Sequence, residues 1–563
     1  MASVVEQVFD CIRNKESFVL DAGAGSGKTW TLVQALNYVI ENKSNELKNN
    51  GQKVVCITYT NIAKDEIIER TEHNELIHVS TIHDFLWDCI KKFQSELREL
   101  FIELLRSKLA KVEEELAAKT RTNTKIYQTL SERKERYQEA IAISESSKLK
   151  IVYDNYPSYR KGKFSHDDLI VLSEQIFTAY PKIRKIVGDA YPVIFVDEYQ
   201  DTQKETISIL LDYLNEIDNL VLGFFGDKRQ QIYDKGVGEI PERYGLKLIK
   251  KEENYRSSKE VIDLLNKLRT DLQQFQPPSN ERRGDVAFYH QADSGSFNAK
   301  EFIENNLTDR WGIALAEDVK ILYLTHRFIA KENGYEDLYQ VHSKNADVIT
   351  KNKDNRGMSP FTDILFDIEE IAELYESKKI QQLLRRVSLR MNSFDSRKAL
   401  NDALNILIEK RLSCKVKDVI EFVVENKLLS PKDRMKDYDF DDEEKKEFYD
   451  SLMEIDYVQF IRLYQVQQNN TPFSTKHNTK GDEFDNVLVV IDDSAWKQSY
   501  NFNDFFSDNH EKEERYLRTS NLFYVVCSRA KNNLAVVCLS ELESSARSKI
   551  KEWFSESNYI ELA

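Results

Sequence analysis

The sequence predicts an α/β fold in which parallel sheets are flanked by helices, and three observations support this fold class. The chain has 563 residues, several times the usual length of one domain, so several packed domains are expected. An apolar segment at 18–20 is followed by a glycine-rich turn and by TWTLVQALNYVI, whose apolar residues recur at helical spacing. A second apolar segment, YPVIFV, ends in adjacent acidic residues. Such alternation is typical of parallel sheets whose catalytic loops follow the carboxyl ends of the strands.

The glycine-rich turn reads A-G-A-G-S-G-K-T, with Ala22 where the general phosphate-binding pattern begins with Gly. Its small residues allow backbone N–H groups to surround phosphate oxygens. Lys28 can neutralise the β- and γ-phosphates, and the hydroxyl of Thr29 can ligate Mg²⁺ at a helix N-terminus. The residues expected to contact ATP here are Ala22, Gly23, Ala24, Gly25, Ser26, Gly27, Lys28 and Thr29. An ordinary strand–turn–helix connection is the alternative interpretation.

The acidic pair that ends the second apolar segment is Asp197 and Glu198. Asp197 is predicted to hold Mg²⁺, and Glu198 to orient or deprotonate the water that attacks the terminal phosphate. Paired acids at a strand end also occur on ordinary surfaces. Together with the glycine-rich turn, however, they supply both halves of a metal–phosphate site, so the sequence predicts ATP and Mg²⁺ as ligands.

Composition argues against a membrane protein and against a metal-cluster protein. No stretch approaches the roughly 18 apolar residues of a membrane helix, and the first residues lack the form of a signal peptide, so we expect a cytoplasmic protein with no membrane partner. The six cysteines show no C-x-x-C pair and no neighbouring His at ligand spacing. We therefore expect reduced, buried thiols.

Charge gives two conflicting indications about a nucleic-acid partner. The net charge is -15, which argues against a polyanionic ligand because phosphate contacts need Lys and Arg. Residues 87–164, however, carry 17 Lys and Arg against 12 Asp and Glu. This local excess of basic residues fits either a solvated helical face or a surface that faces DNA.

Two of these motifs resemble the UvrD/Rep family of superfamily 1 helicases: A-G-A-G-S-G-K-T at 22–29 and D-E-Y-Q-D at 197–201. The resemblance implies two RecA-like P-loop NTPase cores with two mainly helical insertion domains. The expected division is core 1A at 1–86 and 165–258, insertion 1B at 87–164, core 2A at 259–330 and 470–563, and insertion 2B at 331–469. Apolar residues at helical spacing, such as Phe101, Leu104 and Leu105, also favour helices in the first insertion. A coiled-coil or partner-binding arm is the competing interpretation of that segment.

Further motifs of the resemblance imply roles on the nucleotide side. Gln7 corresponds to the residue that reads adenine, and Tyr255 in NYRS to the tyrosine that stacks on it. In GDKRQQIY and NYRS, Gln230 and Arg256 match the groups that reach the γ-phosphate. Glu483 in TKHNTKGDEF would meet the nucleotide sugar, and Arg529 in LFYVVCSRAK would be the arginine finger. The family therefore implies a site in an interdomain cleft.

On the DNA side, the resemblance is carried by ITYTNIAKDEI (57–67), VSTIHDF (79–85), GDKRQQIY (226–233) and TKHNTKGDEF (475–484). The residues implied to contact DNA are Thr58, Tyr59, Asn61, Thr81, His83, Tyr233 and His477. Several residues in and near these DNA-contacting motifs depart from the family pattern. Lys235 stands at the base-stacking aromatic position, and Gly236 at the arginine position that follows it. Asn521 replaces an arginine and Asp482 a leucine.

The resemblance implies an ATP-dependent DNA helicase or translocase that moves 3′ to 5′ on single strands or tailed duplexes, in DNA repair or anti-phage defence. Because only 34 residues follow Arg529, any nuclease would be a separate partner protein. The alternative is a DNA-sensing regulatory ATPase that controls such a nuclease without processive unwinding, as in an operon resembling Gabija-type systems. The departures at Lys235 and Gly236 favour that alternative.

Overall fold

The computed structural model describes the greater part of the chain. The described residues are 3–58, 60–119, 125–146, 149–154, 157–231, 236–291, 297–324, 330–331, 333–344, 360–388, 393–430, 435, 438, 440, 443–467, 473–474, 483–493 and 500–562. They form two compact units. The first comprises 1–283 and 520–528, and the second comprises 284–519 and 529–563.

The first unit is built on a parallel sheet whose described strands follow the order β3-β2-β6-β7-β1-β8. Its strands are β1 (Phe18–Ala22), β2 (Val54–Thr58), β3 (Ile77–Thr81), β6 (Val193–Asp197), β7 (Val221–Gly226) and β8 (Lys247–Lys251). The inner strands β1, β2, β6 and β7 are buried at every residue, which explains their continuous apolar sequences. The strand–helix alternation predicted around both motifs is thereby confirmed.

Helices connect these strands and cover the sheet. They are α1 (Val4–Asn14), α2 (Lys28–Asn50), α3 (Asn61–Arg70), α4 (Ile82–Ile90), α5 (Gln94–Ala117), α6 (Lys125–Ser146), α7 (His166–Ala179), α8 (Pro181–Ala190), α9 (Lys204–Ile209) and α10 (Lys259–Leu268). Local sequence sets several of their ends. The side chains of Thr60 and Thr81 cap the N-termini of α3 and α4, and Gly51 ends α2 in a left-handed conformation.

Residues 87–164 contain the long helices α5 and α6, as the apolar spacing predicts. Phe101, Leu104 and Leu105 are buried on the inner face of α5. A short parallel sheet follows, formed by β4 (Val152–Tyr153) and β5 (Lys163–Phe164). Strands of two residues carry no alternation that a sequence pattern could reveal.

The second unit has its own parallel sheet, in the order β11-β10-β12-β13-β9-β14. The strands are β9 (Val286–His290), β10 (Val319–Tyr323), β11 (Phe473–Ser474), β12 (Phe484–Ile491), β13 (Ala530–Cys538) and β14 (Tyr559–Glu561). The helices are α11 (Ala299–Asn306), α12 (Thr308–Trp311), α13 (Glu336–Lys344), α14 (Pro360–Glu376), α15 (Ile380–Arg386), α16 (Phe394–Ser413), α17 (Val416–Glu425), α18 (Glu443–Met453), α19 (Tyr457–Gln467), α20 (Phe502–Phe506), α21 (Glu513–Cys527) and α22 (Ser544–Phe554). Of α21, residues 513–519 belong to this unit and residues 520–527 to the first. The described elements of 336–467 are helices, and their apolar faces share a core with the sheet.

The cysteines agree with the expectation of buried thiols. All six cysteines are free thiols, five of them buried and Cys414 half-buried. Burial raises the pKa of the thiols of Cys56, Cys89 and Cys527. Within the described residues, no helix combines the length and the apolar character that crossing a membrane requires.

Candidate nucleotide-binding site

Three loops of the first unit meet at the carboxyl edge of its sheet. They follow β1, β6 and β7, and β7 lies between the other two strands. The glycine-rich turn follows β1, the acidic pair ends β6, and Asp227 begins the loop after β7. Because the strands are parallel, their carboxyl ends share one edge, where ligands bind in open α/β sheets.

The glycine-rich turn is held by segments that lie about 230 to 250 residues later in the chain. Gly25 and Gly27 adopt left-handed φ values of 71° and 77°, a conformation open to glycine without strain. A Cβ at Gly25 would lie 2.6 Å from Oδ1 of Asn254 and 2.7 Å from Cβ of Arg256. The N–H of Tyr255 donates to the carbonyl of Gly25 at 2.9 Å. The glycine is therefore needed for both its conformation and its close contact.

The loop has a further support that the sequence did not indicate. Nε2 of Gln274 donates to the carbonyl of Ala24 at 2.9 Å, and a Cβ at Gly23 would contact the Gln274 side chain. Gln274 is buried. It lies outside every motif used above, so only the tertiary fold reveals its contact with the phosphate loop.

Lys28 connects the glycine-rich turn to the acidic pair. Its Nζ lies 2.6 Å from Oε2 of Glu198 and 4.0 Å from Oδ1 of Asp197. Burial alone would lower the pKa of Lys28, but the negative charges of Glu198 and Asp197 outweigh it and raise this pKa. Lys28 therefore stays cationic, as a phosphate-binding lysine must. The structure thus brings together Lys28, Asp197 and Glu198, which the sequence placed in separate motifs.

The groups available for a metal ion fit Mg²⁺ bound mainly through its nucleotide. Thr29 follows Lys28 in the first turn of α2, and Asp197 is buried at the end of β6. Among the described residues, no group of three or more His, Cys, Asp or Glu side chains could hold a metal ion. Mg²⁺ commonly uses one or two protein ligands together with phosphate oxygens and waters, so a hydroxyl and one carboxylate suffice.

Glu198 has an unusual backbone conformation and a fixed neighbour. Its φ is 50°, in the left-handed region that few side chains other than glycine adopt. Its Oε2 accepts a hydrogen bond from Nε2 of Gln200 at 2.5 Å. Strained backbone at such a position is commonly associated with functional sites.

A buried network surrounds Asp227, and the sequence motifs did not reveal most of it. Nε2 of Gln230 donates to Oδ2 of Asp227 at 2.9 Å, and the guanidinium of Arg269 donates to Oδ1 at 3.0 Å. Arg269 also donates to the hydroxyl of Tyr524 at 3.1 Å and forms a two-bond ion pair with Asp271. Asp227 and Arg269 are almost completely buried. This network fixes Gln230, the expected γ-phosphate sensor, beside the site.

Asp21 lies at the end of β1, directly before the phosphate loop, and is buried. Burial and, second, the charge of Asp227 raise the pKa of Asp21 to about 6. Its Oδ1 has no hydrogen-bond partner among the described residues. A carboxylate that lacks both solvent and a donor is destabilised in its charged form, which explains the direction of the shift.

Two exposed aromatic rings lie near the start of α2. Tyr255, the expected adenine-stacking residue, is 45% exposed, and Trp30 is 52% exposed. Nζ of Lys251 lies 5.8 Å from the ring centre of Tyr255 and 5.9 Å from that of Trp30. Burial lowers the pKa of Lys251. Gln7, the other expected adenine contact, is half-buried on α1, a helix that packs on α2 and β8.

The remaining nucleotide-side residues lie in different units. Arg256 belongs to the first unit, where Nη1 lies 3.4 Å from the carbonyl of Ser528. Arg529 and Glu483 belong to the second unit. Arg529 is buried there, and Glu483 lies at the amino end of β12 in an ion pair of 3.3 Å with Lys531.

The expected DNA contacts of the first unit follow neighbouring strands. Thr58 ends β2, Thr81 ends β3, and the two residues are paired in the parallel register. His83 follows in α4, with its ring centre 4.8 Å from that of His166. Burial and, second, His166 lower the pKa of His83 to about 4, so this ring is neutral near pH 7. Asn61 begins α3. Tyr59, Tyr233, Lys235, His477 and Asp482 lie outside the described residues.

Comparison with known proteins identifies relatives of this chain. Residues 6–236 match the UvrD/REP helicase N-terminal domain. The chain is 27% identical to the Gabija protein GajB of Bacillus cereus, over 98% of this chain and 97% of that protein. It is 25% identical to the ATP-dependent DNA helicase PcrA of Staphylococcus epidermidis, over 56% of this chain and 47% of PcrA. For PcrA of Staphylococcus aureus the identity is 24%, over 54% and 45%. The chain thus spans about half the length of the PcrA proteins.

Proposed function

We propose that this chain, whose residues 6–236 match the UvrD/REP helicase N-terminal domain and which is similar to GajB and PcrA, acts as a UvrD/Rep-type motor that couples ATP hydrolysis to 3′-to-5′ movement along single-stranded DNA. The observation that carries the proposal is the contact between Lys28 and Glu198, at 2.6 Å. A cationic phosphate ligand and an acidic water-orienting group are two of the groups that phosphoryl transfer to water uses, and here they lie at one sheet edge.

In this proposal, each residue of the site has one task. Thr29 and Asp197 hold Mg²⁺, which neutralises charge on the phosphate oxygens of ATP. Lys28 binds the β- and γ-phosphates, and Glu198 orients or deprotonates the attacking water. Gln230 and Arg256 respond to the γ-phosphate, and Arg529 acts as arginine finger. Tyr255 and Gln7 recognise the adenine, and Glu483 the sugar.

The DNA track of the proposal begins at the carboxyl ends of β2 and β3. Their paired residues Thr58 and Thr81 bring two expected DNA motifs to the same sheet edge as the phosphate loop. We include Asn61 and His83 in this track, together with Tyr59, Tyr233 and His477. A neutral His83 can donate or accept a hydrogen bond with a base or sugar, without a charge contact to phosphate.

Strand separation on tailed duplexes tests this proposal. Wild-type protein is expected to unwind a duplex with a 3′ single-stranded tail in the presence of ATP and Mg²⁺, and to leave a 5′-tailed duplex intact. Lys28→Ala should abolish unwinding because the phosphates lose their cation. Lys48→Ala, an exposed lysine in the last turn of the same helix, should unwind like wild type. Equal unwinding by Lys28→Ala and wild type would contradict the proposal.

For the biological role, we propose anti-phage defence, with a separate nuclease as partner. The support is the similarity to Gabija protein GajB, which extends over 98% of this chain, whereas similarity to PcrA covers about half of it. Co-purification of a nuclease encoded next to this gene would support the assignment. Failure of every neighbouring gene product to bind would contradict it.

The second candidate is a DNA-sensing ATPase that controls its partner without processive unwinding. Gly236 favours it, because the family's arginine position carries no side chain here and the segment packs instead on the turn that follows Glu198. This candidate predicts DNA-stimulated ATP hydrolysis with no separated strands. Processive unwinding of the 3′-tailed duplex would exclude it.

We also propose the four-part division stated from sequence: core 1A at 1–86 and 165–258, insertion 1B at 87–164, core 2A at 259–330 and 470–563, and insertion 2B at 331–469. The placement of one parallel sheet in each expected core supports it. Limited proteolysis tests the boundaries of insertion 2B: cleavage should concentrate near residues 330 and 470, whereas cuts inside the two six-stranded sheets would contradict the division.

A further inference from the structure

The side-chain amide of Gln200 lies between the loops that follow β6 and β7. Gln200 is completely buried. Its Nε2 donates to Oε2 of Glu198 at 2.5 Å, and its Oε1 accepts from the N–H of Asp227 at 3.2 Å. A flipped amide would place two acceptors against each other at Glu198 and two donors at Asp227, so only one orientation satisfies both partners.

The Asp227 end of this amide bridge is fixed by its surroundings. On the Asp227 side, the carboxylate is held by Arg269 and Gln230. Gly226, the last residue of β7, leaves the room that the amide occupies, because a Cβ there would contact Oε1 of Gln200. Gln200 therefore holds Glu198 from an anchored position, at Oε2, the same oxygen that Lys28 contacts.

The backbone of Gln200 carries a second set of contacts, from the segment 236–238. The N–H of Gly238 donates to the carbonyl of Gln200 at 3.1 Å, and the N–H of Val237 donates to the carbonyl of Thr202 at 2.8 Å. A Cβ at Gly236 would contact the carbonyl oxygen of Gln200 and would lie 3.1 Å from Cα of Asp201. The absence of a side chain at 236 thus allows this segment to pack on the turn that carries Glu198.

We propose that Gln200 is a positioning residue for Glu198 and that it transmits the position of segment 236–238 to the carboxylate that orients water. The proposal rests on the proposed ATPase function and deepens it. A carboxylate that accepts a fixed amide N–H keeps one orientation, and placement errors of about 1 Å can cost about 100-fold in rate. Displacement of 236–238 moves the backbone of Gln200 and, with it, the amide. The segment lies directly after the loop expected to face DNA, so DNA contact there can alter hydrolysis.

Gln200→Met tests the amide, because methionine has a similar volume but neither the donor nor the acceptor. At saturating single-stranded DNA, kcat for ATP hydrolysis should fall about 10- to 100-fold, with KM for ATP within about threefold of wild type. Gln52→Met is the matched control, since its amide binds a backbone carbonyl of the same unit, at Asp189, away from the sheet's carboxyl edge.

Gly236→Ala tests the backbone contact without touching the amide. Its added Cβ should reduce the stimulation of ATP hydrolysis by single-stranded DNA about tenfold or more, since it displaces the turn. Gly245→Ala is the control, because the φ of Gly245 is 65° and no atom lies within 4 Å of its added Cβ. That variant should lose stability while keeping full stimulation.

Four results decide the proposal. Loss of kcat in Gln200→Met with KM for ATP within about threefold of wild type, together with retained melting temperature, supports it. Wild-type kcat in Gln200→Met overturns it while leaving the proposed ATPase function intact. No DNA-stimulated hydrolysis by the wild type overturns both. If Gln200→Met is unstable, Gly236→Ala decides, and full stimulation in that variant overturns the proposal.

Discussion

At the scale of single residues, the phosphate loop combines two demands that only glycine meets at position 25. The position needs a left-handed φ, and the space of its Cβ is filled by Asn254 and Arg256. Gly51, at the end of α2, has a similar φ of 65° but nothing within 4 Å of an added Cβ. Ala substitutions at these two positions therefore distinguish the effect of an unfavourable left-handed φ from the effect of a steric clash.

Gly25→Ala should weaken binding of a non-hydrolysable ATP analogue at least about tenfold, because the added Cβ displaces Asn254 or Arg256 and distorts the loop. Gly51→Ala should keep wild-type affinity and lose only about 1 kcal/mol of stability. Isothermal titration calorimetry and thermal denaturation measure the two effects. Equal affinities for the two variants would show that the loop tolerates the clash.

Asp21 gives a pH-dependent prediction. Its pKa is about 6 in the folded chain and about 3.9 when unfolded. Between these pH values the folded chain binds more protons, so the free energy of unfolding falls as pH rises through this window. Above pH 6 the negative charge of Asp21 should lower the free energy of unfolding by at most about 3 kcal/mol. Asp21→Asn should therefore be more stable than wild type at pH 8, and this gain in stability should be smaller at pH 4.5.

Thermal denaturation at the two pH values measures this difference. Asp189→Asn serves as control, because Asp189 is exposed at the end of α8 and its substitution should change neither melting temperature appreciably. A stability gain for Asp21→Asn of the same size at both pH values would contradict the explanation by burial.

At the scale of elements, Asp168 joins three parts of the helical segment that follows α4. Its carboxylate accepts from the hydroxyl of Tyr159 at 2.8 Å and from the N–H of Ser165 at 3.1 Å, and it pairs with Lys108 of α5 at 2.8 Å. Burial alone would raise the pKa of Asp168, but these donors outweigh burial and lower it. The carboxylate therefore stabilises this arrangement in its charged form.

Asp168→Ala should destabilise residues 94–164 by about 3 to 5 kcal/mol, because Lys108 loses its buried partner and α7 loses its capping interaction. Hydrogen exchange should accelerate in α5 and α6 and remain slow in β1, β6 and β7. Asp167→Ala, at the exposed neighbouring position, should exchange like wild type. Unchanged protection of α5 in Asp168→Ala would contradict the assigned role.

The sequence predicted those strands and loops whose function depends on residues that are close together in the chain. The phosphate loop and the acidic pair lie in short segments whose residues have few alternative uses, and the strands before them are continuous apolar runs that only a doubly covered sheet requires. The resemblance to UvrD/Rep proteins built on these motifs is confirmed by the match at 6–236.

The sequence could not predict contacts that depend on distant segments. Gln274 reaches the phosphate loop across 250 residues, and Tyr524 reaches Arg269 across 255. An isolated Gln or Tyr has no local signature for such a role. Gly236 shows the same limit: by comparison with the family it was a missing arginine, whereas in the structure the missing side chain allows packing on Gln200.

At the scale of the whole molecule, the central claim is that the site hydrolyses ATP in response to single-stranded DNA. The chain is similar to the Gabija protein GajB over nearly its full length and to the ATP-dependent DNA helicase PcrA over about half of its length. The strand edge that carries Lys28 and Glu198 also carries Thr58 and Thr81. Hydrolysis and DNA binding are therefore proposed at one edge of one sheet.

The most direct measurement is steady-state ATP hydrolysis with and without single-stranded DNA, for wild type and Glu198→Gln. Wild type should be stimulated at least about tenfold, and Glu198→Gln should lose about 100-fold or more in kcat while still binding ATP, because only the water-orienting carboxylate is removed. A rate of ATP hydrolysis that single-stranded DNA does not change, or a wild-type rate in Glu198→Gln, would contradict the central claim.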